Sequence, residues 1–209
     1  MGRVTDAFTW YLTRTSGLVG WLLLAAATLW GLLLTSRLLE RRPSPAWLLD
    51  LHRHLGTLTV VLTAVHVGAI IADDFVDYTW REVLVPFASD VDRLAVALGV
   101  ISLYLLLVVQ ISSWARGRLR IEWWRGLHLL STPLFVTAGL HGWLIGTDIG
   151  NPLVATVAIV VMAEIFLVLV LRVRFGRRPL PSRDSTSDEH QRADGEPDPR
   201  HLKPRDPFP

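Results

Sequence analysis

The sequence predicts an all-α fold, a polytopic membrane bundle of about five transmembrane helices with its N-terminus outside and its C-terminus inside. Three observations carry this. Apolar stretches of about 20 residues, long enough to cross a bilayer as a helix, recur five times before residue 176. Hydrophobic residues make up 51% of the 209-residue chain, and its middle segments offer too little polar surface for a soluble domain. Arginines collect between alternate pairs of stretches, as positive-inside topology requires. In lipid every backbone polar group must find its partner inside the segment, so such spans are helices.

The first span runs from about Gly17 to Thr35. It is too long for the apolar core of a signal peptide, and its Ala25–Ala27 run lies in the middle rather than at a cleavage site; it reads as a retained span. The second covers about Trp47 to Ala72 and carries His52, His54 and His66. The third covers Leu94 to Trp114, the fourth Ile121 to Ile145 with His128 and His141, and the fifth Pro152 to Val173. Together these form a domain over residues 1–175. From 176 to 209 prolines and balanced charges replace apolar residues. That tail, with His190 and His201, reads as a disordered cytoplasmic segment.

Orientation follows from loop charge. Arg37, Arg41 and Arg42, then Arg116, Arg118 and Arg120, then Arg172, Arg174, Arg177 and Arg178 fall on one side of a five-span layout. The opposite side holds the acidic loop from Asp73 to Asp92. The expected location is the plasma membrane, as a multi-pass protein in contact with lipid. The basic residues form no groove-like patch, which argues against nucleic acid as a partner. No glycine-rich nucleotide-binding motif and no internal repeat stands out.

Four histidines carry the chemistry. His52 and His66 are fourteen residues apart, about 20 Å along a helix and within roughly 40° of one face. His54 lies about 120° from His66 and points elsewhere. His128 and His141 are thirteen residues apart, which puts them about 140° out of phase on a straight helix. Pro133 lies between them and is placed to kink or rewind the segment; the alternative is that His128 sits in the less regular first turns. The second and fourth spans run in the same direction, so His52 shares a depth with His128 and His66 with His141. Histidine is an axial haem ligand, and two such pairs suit two stacked bis-histidine haem b groups. The absence of cysteine excludes covalent attachment through C-x-x-C-H. Arg53 and Arg125 flank the inner pair and suit haem propionates. Gly56, Gly68, Gly126, Gly139 and Gly142 lie near the histidines in sequence and leave room for a flat macrocycle.

Blander readings stand beside this one. Histidines at span ends also suit the interface, and deeper ones suit polar packing between helices. Trp123, Trp124 and Trp143 read as interfacial anchors, though each could stack on a haem. Glu164 in the fifth span is either a proton-handling group or a hydrogen-bonded contact.

The stretches LHRHLGTLTVVLTAVH (Leu51–His66) and WWRGLHLLSTPLFVTAGLHG (Trp123–Gly142) resemble the haem-bearing helices of the ferric reductase-like transmembrane domain. WYLTRTSGLVGWLLL (Trp10–Leu24) and VLVPFASD (Val83–Asp90) are similar to short bacterial members. That superfamily includes ferric reductases, NADPH oxidases and the haem-containing membrane subunit of a periplasmic methionine sulfoxide reductase system. The resemblance spans about Trp10 to Gly146 and implies electron transfer through two haem b groups. The chain departs in having five expected spans where six are common, and in showing no flavin and NADPH domain. The resemblance thus implies a separate flavoprotein or a quinol as donor, with flavin or quinone as a partner's cofactor. The implied acceptor is ferric iron or an external flavin- or molybdenum-containing oxidoreductase. The competing function is a histidine-lined metal-ion or proton transporter, which wants intramembrane carboxylates and broken helices. A third is a membrane adaptor, which leaves the matched histidines unexplained.

Overall fold

The computed structural model describes residues 2–35, 46–73 and 78–175, the compact unit of the chain. Seven α-helices make it up, and no strand occurs among the described residues. They are α1 (Gly2–Thr35), α2 (Ala46–Ile71), α3 (Trp80–Leu84), α4 (Arg93–Trp114), α5 (Ile121–His128), α6 (Ser131–Ile145) and α7 (Pro152–Phe175). The expected disordered tail, the Arg37–Arg42 loop and residues 74–77 of the acidic loop lie outside the described residues.

Among the described residues four helices are long and apolar enough to cross a membrane: Ala7–Leu34, Ala46–Ile71, Arg93–Trp114 and Pro152–Leu171. The chain is therefore a polytopic all-α membrane protein in a lipid environment. The fourth expected span, Ile121 to Ile145, is not one continuous helix but the pair α5 and α6, separated at Leu129–Leu130. Pro133 is the cause. It has no N–H to give the Leu129 carbonyl four residues back, and Thr132 N–H takes that carbonyl instead at 3.2 Å. Leu130 N–H likewise bonds Leu127 three residues back at 3.1 Å. These tighter turns advance about 120° per residue instead of 100°. They overwind the segment, which is the sense that brings His128 and His141 toward a common face.

α1, α2, α4 and α6 form a closed ring in which α1 packs on α2, α2 on α4, α4 on α6 and α6 on α1. α7 leans on the outside of α1 and keeps most of its surface toward the surroundings. In lipid, helices associate through close packing and interhelical hydrogen bonds rather than through a hydrophobic drive. The buried set reflects this: Ala25, Ala27, Ala69, Ala95 and Ala97 let backbones approach, and Leu24, Leu32, Leu106, Leu134, Phe135 and Ile165 fill the rest. Trp21 of α1 stacks on Phe135 of α6 with ring centres 5.9 Å apart. Ser102 of α4 donates to Thr137 of α6 at 2.8 Å. Arg14 of α1 forms an ion pair with Asp148, just beyond α6, through its Nε–H at 3.0 Å and its second nitrogen.

The segment between α2 and α4 contains the short helix α3 where sequence alone shows only an acidic loop. Its start is fixed by Glu82, whose carboxylate accepts from the Thr79 N–H and from the Thr79 hydroxyl, both at 2.9 Å. Phe87 and Asp92 hold positive φ values of 66° and 44°. Arg93 Nε–H donates to the Phe87 carbonyl at 3.0 Å, and buried Ser89 closes on Val91, so this turn is tied at several points.

The Thr79 hydrogen bonds hold the Glu82 carboxyl below its ordinary value of 4.5. A depressed carboxyl contributes stability in full above the ordinary value and loses it as pH falls through the lowered one. An NMR titration of Glu82 is expected to give a midpoint below 4.5, and Thr79→Val, which removes the hydroxyl, is expected to raise it.

Candidate functional site

α2 and α6 occupy diagonal positions in the four-helix ring, and the two α2 histidines meet His141 of α6 and His128 at the end of α5, where helical bundles commonly build cofactor sites. The His52 and His128 rings have centres 6.0 Å apart with planes at 75°. The His66 and His141 rings have centres 6.4 Å apart with planes at 82°. The structure thus brings His52 beside His128 and His66 beside His141. Along α2 the pairs lie about 20 Å apart at a rise of 1.5 Å per residue.

Each ring is held by the helix beside it. His66 Nδ1 lies 2.8 Å from the Thr13 carbonyl, His52 Nδ1 3.0 Å from the Ala27 carbonyl, and His141 Nδ1 2.7 Å from the Ala95 carbonyl. A carbonyl can only accept, so each of these nitrogens carries the proton. Each Nε2 is then an unprotonated lone pair, the form that binds a metal. His128 Nδ1 instead lies 3.4 Å from the Ser113 hydroxyl.

Three glycines make these approaches possible. A Cβ on Gly17 would stand 2.9 Å from the His66 ring, one on Gly99 2.8 Å from the His141 ring, and one on Gly31 3.1 Å from the His52 ring. A helical side chain covers the turn N-terminal to its own Cα. Glycine therefore bares the carbonyl four residues earlier, which in each case is the one that receives the histidine. Sequence reasoning missed all three. The glycines it favoured are placed differently: Gly56 faces Gln110, Gly139 faces Met162 and Trp21, and Gly68, Gly126 and Gly142 face open space.

The other expected residues fall as follows. Arg53 is exposed and pairs with Asp50 on its own helix at 3.3 Å. Arg125 is exposed at the end of α5. His54 turns back to the Asp50 carbonyl at 2.7 Å, away from the pairs. Glu164 is exposed on α7, the helix outside the ring. Trp123 and Trp143 are exposed, but Trp124 stacks on His128 at 5.1 Å and 21°, and Arg116 lies over Trp124 at 4.5 Å.

A family model described as ferric reductase like transmembrane component matches residues 16–139. The chain belongs to this family. The match takes in Gly17, Gly31, Gly99 and three of the four paired histidines, and it stops two residues before His141. No curated protein and no solved structure matches the chain.

The residues present fit a haem. An imidazole nitrogen bonds a metal at about 2.0 Å and the ring centre lies about 1.1 Å beyond. Two imidazoles on opposite sides of one metal thus have centres about 6 Å apart, as both pairs do here. Among the described residues no three metal-binding side chains gather into one cluster, and a macrocycle that brings four ligands of its own needs only two. Two buried polar atoms left without partners belong to residues of this site: Thr13 Oγ1, in the residue that holds His66, and Trp124 Nε1, in the ring stacked on His128.

Overpacking a tight contact costs about 1–3 kcal/mol. Gly17→Ala and Gly99→Ala are each expected to destabilise the purified protein by that order, and Gly31→Ala by less because its contact is longer. Thermal unfolding in detergent, with the three variants side by side, checks the ranking.

Proposed function

We propose that this family member is a membrane b-type cytochrome that carries electrons across the bilayer through two haem b groups. His52 and His128 would hold the inner one, and His66 and His141 the outer one. The single observation that supports this most is the pair of facing imidazoles at each depth, ring centres about 6 Å apart, with every Nδ1 engaged by a neighbouring helix.

When bound, haem supplies reversible one-electron exchange between ferric and ferrous iron. The chain's own residues do the remainder. Two imidazoles would hold each haem, which would leave no open position for oxygen and would suit electron transfer. The carbonyls of Thr13, Ala27 and Ala95 fix ring orientation and tautomer, as the outer partners of metal-bound histidines do. Leu24, Leu134 and the Trp21–Phe135 stack occupy the depth between the pairs and keep it dry. Arg53 and Arg125 stand at the same helix ends as His52 and His128 and are the proposed propionate partners on the inner side.

The positive-inside rule supports an orientation with the inner pair, on the side of the arginine-rich segments, toward the cytoplasm, and the proposed location is the plasma membrane. Electrons then enter from a cytoplasmic flavoprotein or a quinol and leave to ferric iron or to an external oxidoreductase. The fit is poorer for a metal-ion or proton transporter: Glu164 is exposed on α7, outside the ring that holds the histidines, and no group of three metal-binding side chains forms among the described residues.

Optical spectra of the detergent-purified protein, with a pyridine haemochrome assay, test the proposal. Two haems per chain are expected. Either His66→Ala or His141→Ala should leave one, and the double variant should also leave one, because both residues serve the same group. Combining His66→Ala with His52→Ala should leave none. A full haem complement in any single variant would overturn the pairing, and a haem-free wild-type protein would overturn the function.

A further inference from the structure

The histidine supports follow one rule that is visible only once the helices are packed. Where a ring lies against glycine n of the adjacent antiparallel helix, its Nδ1 reaches carbonyl n−4. This holds for Gly17 with Thr13, Gly31 with Ala27, and Gly99 with Ala95. On α1 the two glycines are fourteen residues apart, as are the two histidines they face on α2. Fourteen residues beyond Gly99 on α4 the position is Ser113, and it faces His128. The helix pair α1–α2 and the set α4–α5–α6 are thus two copies of one construction, a repeat that hydropathy and residue identity conceal. Ser113 is the one support of the four that is not glycine.

The carbonyl four residues before Ser113 is that of Val109, and the Ser113 hydroxyl donates to it at 2.7 Å. The hydroxyl has one proton, engaged there, so toward His128 Nδ1 at 3.4 Å it can act only as an acceptor. We infer that Ser113 is a positioning residue that relays the Val109 carbonyl to His128, keeping this ring in the same tautomer as the others through a longer and weaker bond, and that it thereby sets the redox potential of the inner haem apart from that of the outer one. The inference rests on the bis-histidine reading.

The chemistry follows from ligand basicity. A strong acceptor on Nδ1–H makes an imidazole a better electron donor to its metal, and this favours the ferric state. His52, His66 and His141 have carbonyl acceptors at 2.7–3.0 Å. His128 has a neutral hydroxyl at 3.4 Å, so it donates least. Through this contact the inner haem is easier to reduce than it would be with glycine at position 113.

The test is a potentiometric titration followed optically, with a haem count, on the purified wild-type protein and on Ser113→Gly, Ser113→Thr and Ser113→Ala. Ser113→Gly bares the Val109 carbonyl as the other three supports do, and should bind two haems with the inner potential shifted lower and the outer unchanged. Ser113→Thr keeps a hydroxyl able to bond the i−4 carbonyl and should keep the wild-type potential. Ser113→Ala removes the acceptor. It should shift the inner potential upward or lose the inner haem, and the threonine variant should do neither. An unchanged inner potential in both the glycine and alanine variants, with two haems bound, would overturn the role of Ser113 and leave the haem reading intact. So would a shift confined to the outer haem. A wild-type protein without haem would overturn both.

Discussion

The hydrogen bond from a histidine Nδ1 to a main-chain carbonyl of the next helix is the constraint around which this bundle is arranged. It requires that carbonyl to be uncovered, which requires a glycine one turn later, which fixes how far one helix slides along its neighbour. Gly17 opposite His66 and Gly31 opposite His52 set the antiparallel register of α1 and α2 at two points. With the rings pinned from the side, they meet in pairs across the bundle centre. A metal-binding histidine oriented by a second group is a common arrangement. Here three of the four orienting groups are backbone atoms, which cannot swing away or change charge.

α5 and α6 show how a local irregularity serves the same end. A straight helix cannot present His128 and His141 to one axis, because thirteen residues fall short of four full turns by about 140°. Pro133 forfeits one backbone bond, and the replacement bonds to carbonyls three residues back overwind the chain. The cost is a helix that no longer spans in one piece. Trp124, stacked on His128 and covered by Arg116, holds the shorter half in place.

Much of this was legible in the sequence for a local reason. Span positions, the equivalence of His52 with His128 and of His66 with His141, and the need for a distortion near Pro133 all follow from hydropathy and helical period, which one segment displays by itself. What stayed hidden depends on two segments at once. Gly142 drew attention as the sequence neighbour of His141, yet it supports no ring, because residues adjacent along a helix point in different directions. Arg53 follows His52 directly and turns to Asp50 for the same reason. The true supports lie on other helices, and α1 reaches well before Gly17, so the Thr13 carbonyl falls outside the span that hydropathy marks. One signal was available: the interval from Gly17 to Gly31 equals that from His52 to His66. It gains meaning only when the two helices are set antiparallel.

The equal intervals also bear on how such a chain can change over time. A residue inserted between Gly17 and Gly31 would turn everything beyond it by about 100° and leave a side chain where a ring must lie. A compensating insertion in α2 would restore the spacing but would rotate His52 away from His128. Length can therefore vary only in the connections between helices, whereas the fourteen-residue interval is locked by contacts on both sides. Loops and termini are where relatives of this chain should differ in length, and the stretch from the first glycine to the second should keep one length throughout.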